Sequence, residues 1–390
     1  MRILFVSAVF PYPLTSGGQV RIYHLLKVLS KKHRITLFSF IRSDRERDLT
    51  GRLPFLKEIK TAYRGKRLTL PYLYRTLTGP YPLLLTSYDN ARMREMLTEE
   101  TAAGGYDLVH IEPFYVYPSL PRISIPLVVA EHNIEHVVYK GTADTFGFAL
   151  LRPLLRWESR RIGEWEGKVL KNADAVTAVS AADAGYLRQF NPRLAVIENG
   201  VDTVKFSYRA RNFPVELKTV LFFGNFLWYP NVEAVTRLVR GIWPDIRKRF
   251  PDLALRIVGN RAPRRFNRPR EGINVVGVVP DIVSELHHAD CLLAPFGFSG
   301  GTKYKLLESM AAGLPVITTY AGASGLQFSD NEHLKIAETP AEFLSAVATL
   351  TQRNSGWSRI TGNARKLVEE RYCWEAIGQK LSDLWEKTAK

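Results

Sequence analysis

The sequence predicts an α/β protein built from two Rossmann-like domains, each a doubly wound parallel sheet with helices on both faces. The chain has 390 residues, which is too long for one ordinary domain and suits two. Short apolar runs alternate with longer segments that repeat an apolar residue every three or four positions, a pattern typical of βα units. This pattern stops in the polar stretch 207–218 and starts again near residue 219. We therefore expect two domains facing a central cleft, which is the default place for a ligand.

The first half of the chain contains six apolar runs of strand length and two clear helical segments. Strands are predicted at 3–7, 35–40, 108–111, 127–130, 175–179 and 195–197. The clearest helix is predicted over 18–30, because Ile22, Leu25, Leu26 and Leu29 recur at helical spacing. A second long helix is predicted over about 150–170.

The second half of the chain continues the same alternation of strands and helices. Strands are predicted at 220–223, 253–258, 274–276, 291–294 and 315–318. Helices are predicted over 231–250, 282–289, 302–312, 340–351, 358–371 and 373–387.

Composition excludes several other classes of protein. Hydrophobic residues make up 46% of the chain and charged residues 24%, a composition typical of globular proteins. The only cysteines are Cys291 and Cys373, so a disulfide scaffold is excluded and a reducing compartment is indicated. No His/Cys cluster has zinc spacing, and no Asp-x-Asp pair offers ligands for a divalent cation. No apolar run reaches the roughly 18 residues of a membrane span, so we expect a cytoplasmic protein.

The formal charge of +16 indicates an anionic partner. Nine lysines and arginines lie between Arg52 and Arg94, against only Glu58 and Asp89. Aromatic residues and a leucine run are interleaved with these charges, a mixture that suits the head-group level of an anionic membrane. A solvated basic face is the open alternative. Nucleic acid is not expected as a partner, because no RRM, KH, helix-turn-helix or zinc-finger pattern accompanies the charge.

The segment 295–317 carries the strongest chemical signal in the sequence. A buried strand ends at Pro295, and Gly300, Gly301 and Thr302 then lead into a helix. Glycines let a phosphate approach the backbone, and the N–H groups at the start of a helix attract its charge. Lys305 and Glu308 are expected to share the helix side opposite the buried one, where Lys305 would reach phosphate and Glu308 a ribose. The open alternative is a capped surface helix with a Lys–Glu pair.

This segment resembles the donor-binding signature of family 4 glycosyltransferases, retaining enzymes of the GT-B fold. Glu308 matches the second of two family glutamates, the one that binds the nucleotide ribose. The first glutamate, which faces the transferred sugar, falls at Gly300 and is missing here. A branch of the family carries G-G-T-x-x-K at this point, and the chain follows that branch.

Other pieces of the chain match the same family in the same order. Gly17 and Gly18 resemble the N-terminal donor loop, and His132 matches a histidine that the family places near the sugar and the phosphate. Gly224 and Asn225 open the second domain as in the same branch. Val279 and Asp281 lie in the segment whose backbone usually meets the nucleobase.

The chain departs from the family at its usual phosphate clamp. Many members have an arginine after the first glycine of the second domain and a lysine some residues later. Here Asn225 takes the arginine position, and no basic residue follows until Arg237. Lys303 and Lys305 are the candidates to supply the missing positive charge, and Lys305 is preferred because the two lie about 160° apart on a helix.

The resemblance implies domain bounds and an activity. The bounds are an acceptor-side domain over 1–203, a linker over 204–218, a donor-binding domain over 219–371 and a final helix over 372–390 that crosses back to the first domain. The activity is metal-independent transfer of a hexose from a nucleotide sugar, used as co-substrate without a cofactor, to a polysaccharide or lipid-linked acceptor.

Rival functions remain. The nearest is a nucleotide-sugar epimerase or hydrolase of the same fold. A dinucleotide oxidoreductase is disfavoured, because no G-x-G-x-x-G follows a strand.

Overall fold

The computed structural model describes residues 1–65, 69–145, 147–297, 304–353 and 356–390. The chain divides into two compact units: unit 1 comprises Met1–Glu198 and Ile377–Lys390, and unit 2 comprises Asn199–Ala376.

Unit 1 is built on a parallel sheet of seven strands in the order β3-β2-β1-β4-β5-β6-β7. The chain starts in the middle of this sheet and winds outward in both directions, which makes the unit doubly wound. The strands are β1 (Arg2–Ser7), β2 (Arg34–Ile41), β3 (Glu58–Tyr63), β4 (Leu108–Glu112), β5 (Leu127–Glu131), β6 (Ala175–Ala178) and β7 (Leu194–Val196). The central strands β4 and β5 are buried along their whole length, as expected of strands covered by helices on both faces.

The helices of unit 1 connect successive strands. They are α1 (Gly17–Leu29), α2 (Asp44–Arg47), α3 (Leu70–Thr78), α4 (Leu83–Thr86), α5 (Ala91–Ala103), α6 (Glu135–Thr145), α7 (Arg152–Lys171) and α8 (Ala181–Leu187), with 3₁₀ turns at Thr50–Arg52, Phe114–Ser119 and Ala149–Leu151. The hydroxyl of Ser16 caps α1 by accepting a hydrogen bond from the backbone N–H of Gln19.

Unit 2 repeats this plan with six parallel strands in the order β10-β9-β8-β11-β12-β13. The strands are β8 (Thr219–Phe223), β9 (Ala254–Val258), β10 (Ile273–Gly277), β11 (Cys291–Ala294), β12 (Val316–Thr318) and β13 (Lys335–Ile336). The helices are α9 (Tyr229–Arg237), α10 (Trp243–Arg249), α11 (Ile282–His288), α12 (Tyr304–Ala311), α13 (Tyr320–Ala323), α14 (Pro340–Thr349) and α15 (Trp357–Leu367), with 3₁₀ turns at Arg264–Phe266 and Pro269–Glu271. The last helix, α16 (Trp374–Thr388), belongs to unit 1 from Ile377 onward.

The structure confirms the fold class but corrects two helices of the second half. The single helix predicted over 231–250 is two helices, α9 and α10, joined by a π-helical turn at Leu238–Ile242. A second π turn, Val368–Tyr372, separates α15 from α16. A π turn closes its hydrogen bonds over five residues instead of four, and a change confined to one turn is too short for the apolar periodicity to reveal.

The described residues of the segment 52–94 form ordinary structure of unit 1, which corrects part of the expectation for that segment. The segment contains β3, α3 and α4. Two of the aromatic residues interleaved with its basic residues, Tyr72 and Tyr88, are buried and so do not face a membrane. Lys60 is paired with Glu100, and Arg75 with Asp89 at 2.7 Å, so part of the basic excess is neutralised locally.

No helix in the described ranges has both the length and the apolar character needed to cross a bilayer.

Candidate donor and catalytic sites

In unit 2, several glycine-containing turns follow the carboxyl ends of parallel strands, the edge where α/β sheets bind ligands. Gly224 follows β8, Gly259 follows β9 and Gly297 lies after β11. A Cβ at position 259 would lie 1.9 Å from the carbonyl oxygen of Gly224, so only glycine fits there. The turns after β8 and β9 are therefore packed backbone against backbone.

Lys305 lies beneath Gly224. Its Nζ donates a hydrogen bond to Oδ1 of Asn231 at 2.5 Å and lies 4.6 Å from the centroid of the Phe222 ring. A Cβ at position 224 would stand 2.9 Å from this Nζ and 3.0 Å from Nδ2 of Asn231. Glycine at 224 thus lets an ammonium group come directly under the backbone at the carboxyl edge of the sheet.

The burial of Lys305 corrects one expectation. Lys305 was expected on the side of the helix opposite the buried one, but it is buried with Leu306 and Leu307. Its long stem crosses the apolar interior, and its charge is held by Asn231 and the faces of two phenylalanine rings. Burial of a charged lysine is costly unless nearby polar groups and rings offset the hydration that it loses, and these contacts do so here.

Glu308, one turn further along α12, is half-buried. Burial raises the pKa of its carboxyl to about 7, and the charges of Lys205 and Lys305 oppose that rise. The carboxyl therefore titrates near neutrality, which distinguishes it from an ordinary surface glutamate in a Lys–Glu pair.

The other predicted donor-site residues of unit 2 are placed as follows. Asn225 is half-buried, its Oδ1 accepts a hydrogen bond from the backbone N–H of Leu227 at 3.1 Å, and its carbonyl accepts one from Nδ2 of Asn231 at 2.7 Å. Val279 is half-buried. Asp281 caps α11 by accepting hydrogen bonds from the backbone N–H groups of Val283 and Ser284. Its carboxylate is thus engaged in the helix start.

The predictions for Gly300, Gly301, Thr302 and Lys303 lie outside the described residues. The preceding turn is positioned by Glu233, whose Oε2 accepts a hydrogen bond from the backbone N–H of Gly297 at 3.1 Å.

In unit 1, the centre of the candidate site is the pair His132–Glu112. Glu112 ends β4 and is fully buried, and His132 follows β5, which pairs with β4. Nε2 of His132 lies 2.7 Å from Oε1 of Glu112. A hydrogen bond to a carboxylate places the Nε2 proton on the ring, so Nδ1 is the nitrogen that can meet a substrate.

Arg21 and His110 complete the surroundings of Glu112. Nε of Arg21 donates to Oε1 of Glu112 at 2.6 Å, and Nε2 of His110 lies 3.3 Å from Oε2. Burial alone would raise the pKa of Glu112, but the Arg21 guanidinium and the two histidines hold it well below its usual value. Burial lowers the pKa of His110, which Trp385 contacts through a 3.1 Å hydrogen bond. Glu112 is thus a buried carboxylate that is ionised at neutral pH.

Gly17 and Gly18 begin α1, at the same edge of the sheet. A Cβ at position 18 would lie 3.7 Å from Nδ1 of His132, an ordinary contact distance. The structure therefore brings Gly18 and His132 together, with Nδ1 facing the start of α1. Gly17 is exposed.

The sequence prediction missed several residues of both sites: Arg21, His110, Glu112, Asn231, Glu233 and Gly259. Glu112 had a readable signal, since it is a charged residue at the end of the apolar run 108–111, where a parallel strand presents its last side chain. Arg21 had no such signal in the sequence, because an arginine is not expected on the buried face of a helix such as α1.

In the part of the chain that the structure describes, no group of three or more His, Cys, Asp and Glu side chains is arranged to hold a metal ion.

Comparisons with known proteins place both units in one family. Residues 15–205 match the model described as "Glycosyltransferase Family 4", and residues 217–353 match "Glycosyl transferases group 1". A sucrose-phosphate synthase from Thermosynechococcus elongatus superimposes with a TM-score of 0.72 at 18% identity, over 99% of each chain. Anabaena HepE in complex with UDP-glucose superimposes with a TM-score of 0.64 at 15% identity, over 99% of this chain and 100% of the other.

Among sequence relatives, an uncharacterised 44.6 kDa protein in the cps region of Klebsiella pneumoniae is 22% identical over 95% of this chain and 96% of its own length. The two family models together span most of the chain, and the paired parallel sheets are those of the GT-B neighbours. The chain belongs to the family 4 glycosyltransferases.

Proposed function

We propose that this glycosyltransferase moves a hexose from a nucleoside-diphosphate sugar to an acceptor and retains the configuration at the anomeric carbon. The observation that carries the proposal is the arrangement at the carboxyl edge of the unit 2 sheet. There a buried ammonium, Lys305, lies under Gly224, and Glu308 follows on the same helix with a pKa of about 7. A diphosphate and a ribose are the two groups that such a pair would recognise.

In this proposal, Lys305 and the N–H groups at the start of its helix stabilise the leaving diphosphate, on which negative charge develops in the transition state. The carboxylate of Glu308 accepts hydrogen bonds from the ribose hydroxyls. The backbone around Val279 and Asp281 meets the nucleobase, and Gly224 and Asn225 border the phosphates. The side chain of Asp281 serves this site indirectly, because it caps α11.

His132 acts in the proposal as the catalytic residue of unit 1. Glu112 fixes its ring, so Nδ1 is aimed at the sugar or its phosphate, and Gly17 and Gly18 leave room beside it. No general base is assigned: in retaining transfer of this kind, the departing phosphate can take the proton of the acceptor hydroxyl.

Neither a metal ion nor a cofactor is part of the proposed reaction. The positive charge that a divalent cation would bring to the diphosphate comes instead from Lys305 and backbone dipoles. Removal of divalent cations with EDTA is expected to leave turnover unchanged, and restoration of a lost rate by Mg²⁺ or Mn²⁺ would contradict this part of the proposal.

We further propose that the acceptor is a lipid-linked sugar or a growing polysaccharide, bound by the acceptor-side domain. The relative from the Klebsiella cps region supports a place in cell-surface polysaccharide assembly. The basic excess between Arg52 and Arg94 supports work at the cytoplasmic face of an anionic membrane, and nucleic acid is not a partner in this proposal.

A panel of nucleoside diphosphates and nucleotide sugars, screened by thermal shift, tests the donor site. A ligand that binds the folded state raises stability by RT ln(1 + [L]/Kd), so one base is expected to stand out from the others. UDP and UDP-glucose are the first probes, because a structural neighbour is crystallised with UDP-glucose. A protein that no nucleotide stabilises would refute the proposed donor site. A nucleotide-sugar epimerase or hydrolase would bind the same donors, so product analysis is needed to distinguish either of them from a glycosyltransferase.

A further inference from the structure

Helix α3 of unit 1 exposes an apolar face. Leu70 is 83% exposed, Tyr74 is 69% exposed and Leu77 is 65% exposed, and the partly exposed Leu73 lies on the same side. Positions i, i+3, i+4 and i+7 lie on one face of a helix. The opposite face, with Tyr72 and Thr76, is buried against the rest of unit 1. The helix therefore presents apolar side chains on both sides.

A second exposed apolar segment leads into α7. Leu150 is 82% exposed and Phe148 is 59% exposed, and Leu151, Leu154 and Trp157 are exposed as well. Scattered exposed leucines are normal on a protein surface, but such runs within two short segments are not.

Arg161 connects the two segments. Its Nη1 donates to the carbonyl of Thr76 at 3.1 Å and its Nη2 to that of Gly79 at 3.2 Å, both at the end of α3. Its guanidinium carbon also lies 4.7 Å from the centroid of the Trp157 ring. The end of α3 and the first turns of α7 are therefore neighbours on one surface of unit 1.

The charges within these segments are almost all positive. Residues 70–78 and 148–161 contain five arginines against one acid, Glu158. Glu158 is buried and accepts a hydrogen bond from Arg161 at 2.8 Å, and Arg75 and Arg156 are each paired at 2.7 Å with an acid just outside the segments, Asp89 and Asp144. Five arginines against these three acids leave the surface with a net charge of +2. An apolar centre with arginines around it is the composition of a surface that enters the head-group layer of an anionic bilayer.

We propose that α3 and residues 148–157 form a membrane-docking surface, which inserts its leucine, tyrosine, phenylalanine and tryptophan side chains among the head groups of an anionic lipid bilayer. A second copy of the chain is a poorer occupant, because a symmetric contact would bring the same arginines against each other. This surface would bring the enzyme to the membrane that carries a lipid-linked acceptor. Only that purpose rests on the proposed function.

Sedimentation with vesicles, without donor or acceptor, tests this surface on the full chain. The probes are vesicles of phosphatidylcholine and phosphatidylglycerol in equal parts, and vesicles of phosphatidylcholine alone. We expect the wild-type protein to partition onto the anionic vesicles, and the variant L70S/Y74S/L77S to lose about tenfold or more in partition coefficient. These side chains are exposed, so the variant is expected to keep the wild-type melting temperature.

A matched control removes equally exposed apolar side chains from unit 2. The variant V204S/Y320S is expected to sediment like the wild type, and both variants are expected to keep the thermal shift that the wild type shows with its best nucleotide sugar. Retention of this response separates failure of the docking surface from failure of the donor site. Sedimentation of L70S/Y74S/L77S at the wild-type level would overturn the proposal. So would a wild-type dimer that this variant converts to a monomer, because a second copy would then cover the face.

Discussion

The imidazole of His132 is joined to the buried carboxylate of Glu112 by a 2.7 Å contact between Nε2 and Oε1. The two residues are twenty positions apart in the chain and lie at the ends of β4 and β5, which are neighbouring parallel strands. Because Arg21 keeps Glu112 ionised, the contact fixes both the orientation of the ring and the position of its proton. The reactive atom of the pair is therefore Nδ1, beside Gly18.

Replacement of His132 by alanine is expected to lower kcat far more than it changes donor affinity. The proposed partner of Nδ1 gains its charge only in the transition state, so the lost interaction is absent from the ground state. Steady-state kinetics with the cognate donor, together with calorimetric donor binding, measure the two effects. A variant that loses only stability, with turnover per folded molecule intact, would make His132 a structural residue.

The Arg21–Glu112 pair predicts a non-additive effect on stability. Arg21→Met and Glu112→Gln are each expected to lower the free energy of unfolding by about 3–5 kcal/mol, because each leaves a buried charge without its partner. The double variant is expected to lose less than the sum of the two. Urea unfolding of the four proteins measures the coupling, and strict additivity would show that the two charges do not support each other.

The same pair predicts a loss of stability in acid. The pKa of Glu112 is lower in the folded state than its usual value of 4.5, so the unfolded chain binds the proton more readily. The contribution of Glu112 is thus fully present above the unfolded value and is lost as the pH falls through the folded one. Melting temperatures measured downward from pH 5 are expected to fall more steeply for the wild type than for Arg21→Met. Parallel slopes would contradict this account of Glu112.

Glu308 predicts a pH dependence of donor binding. Its pKa of about 7 means that roughly one site in ten carries the carboxylate at pH 6. If that carboxylate accepts hydrogen bonds from the ribose, affinity for the nucleoside diphosphate is expected to rise by about tenfold between pH 6 and pH 8. Glu308→Gln is expected to abolish this dependence and to weaken binding by about 1–3 kcal/mol. Calorimetric titrations at several pH values test both effects, and unchanged affinity in the variant would exclude the ribose role.

Gly224 and Gly241 offer a matched pair of glycine-to-alanine substitutions in unit 2, one crowded and one open. Gly224→Ala would press a methyl group against Nζ of Lys305 and the amide of Asn231, and is expected to cost about 1–3 kcal/mol of stability and to impair donor binding. Gly241→Ala meets no atom within 4 Å and is expected to be neutral or slightly stabilising. Equal behaviour of the two variants would mean that the close approach at Gly224 is unimportant.

Both sheets could be predicted from the sequence, because their buried strands, such as β4 and β5, are short apolar runs. The segments between these runs show the apolar spacing of helices. It did not predict β3, where Glu58 and Lys60 alternate with less polar residues at the edge of the sheet and leave no apolar run. For the site, helical spacing placed Lys305 and Glu308 on one helix correctly. It could not show that Lys305 turns inward, because that depends on Asn231 and two phenylalanine rings contributed by other segments.

Arg21 illustrates the same limit in unit 1. Its partner Glu112 lies 91 positions away, and the carbonyls of Ile197 and Glu198 that it also binds lie further still. A buried arginine of this kind is defined by long-range contacts, which local periodicity does not encode.

Product analysis tests the central claim, transfer of a sugar with retention, most directly. The full-length protein is incubated with the nucleotide sugar that stabilises it most, with and without alkyl glycosides as acceptor probes, and the products are examined by NMR. The account predicts a new glycoside that forms only when acceptor is present and keeps the anomeric configuration of the donor. Release of free sugar or of an epimerised donor at the same rate with and without acceptor would contradict it.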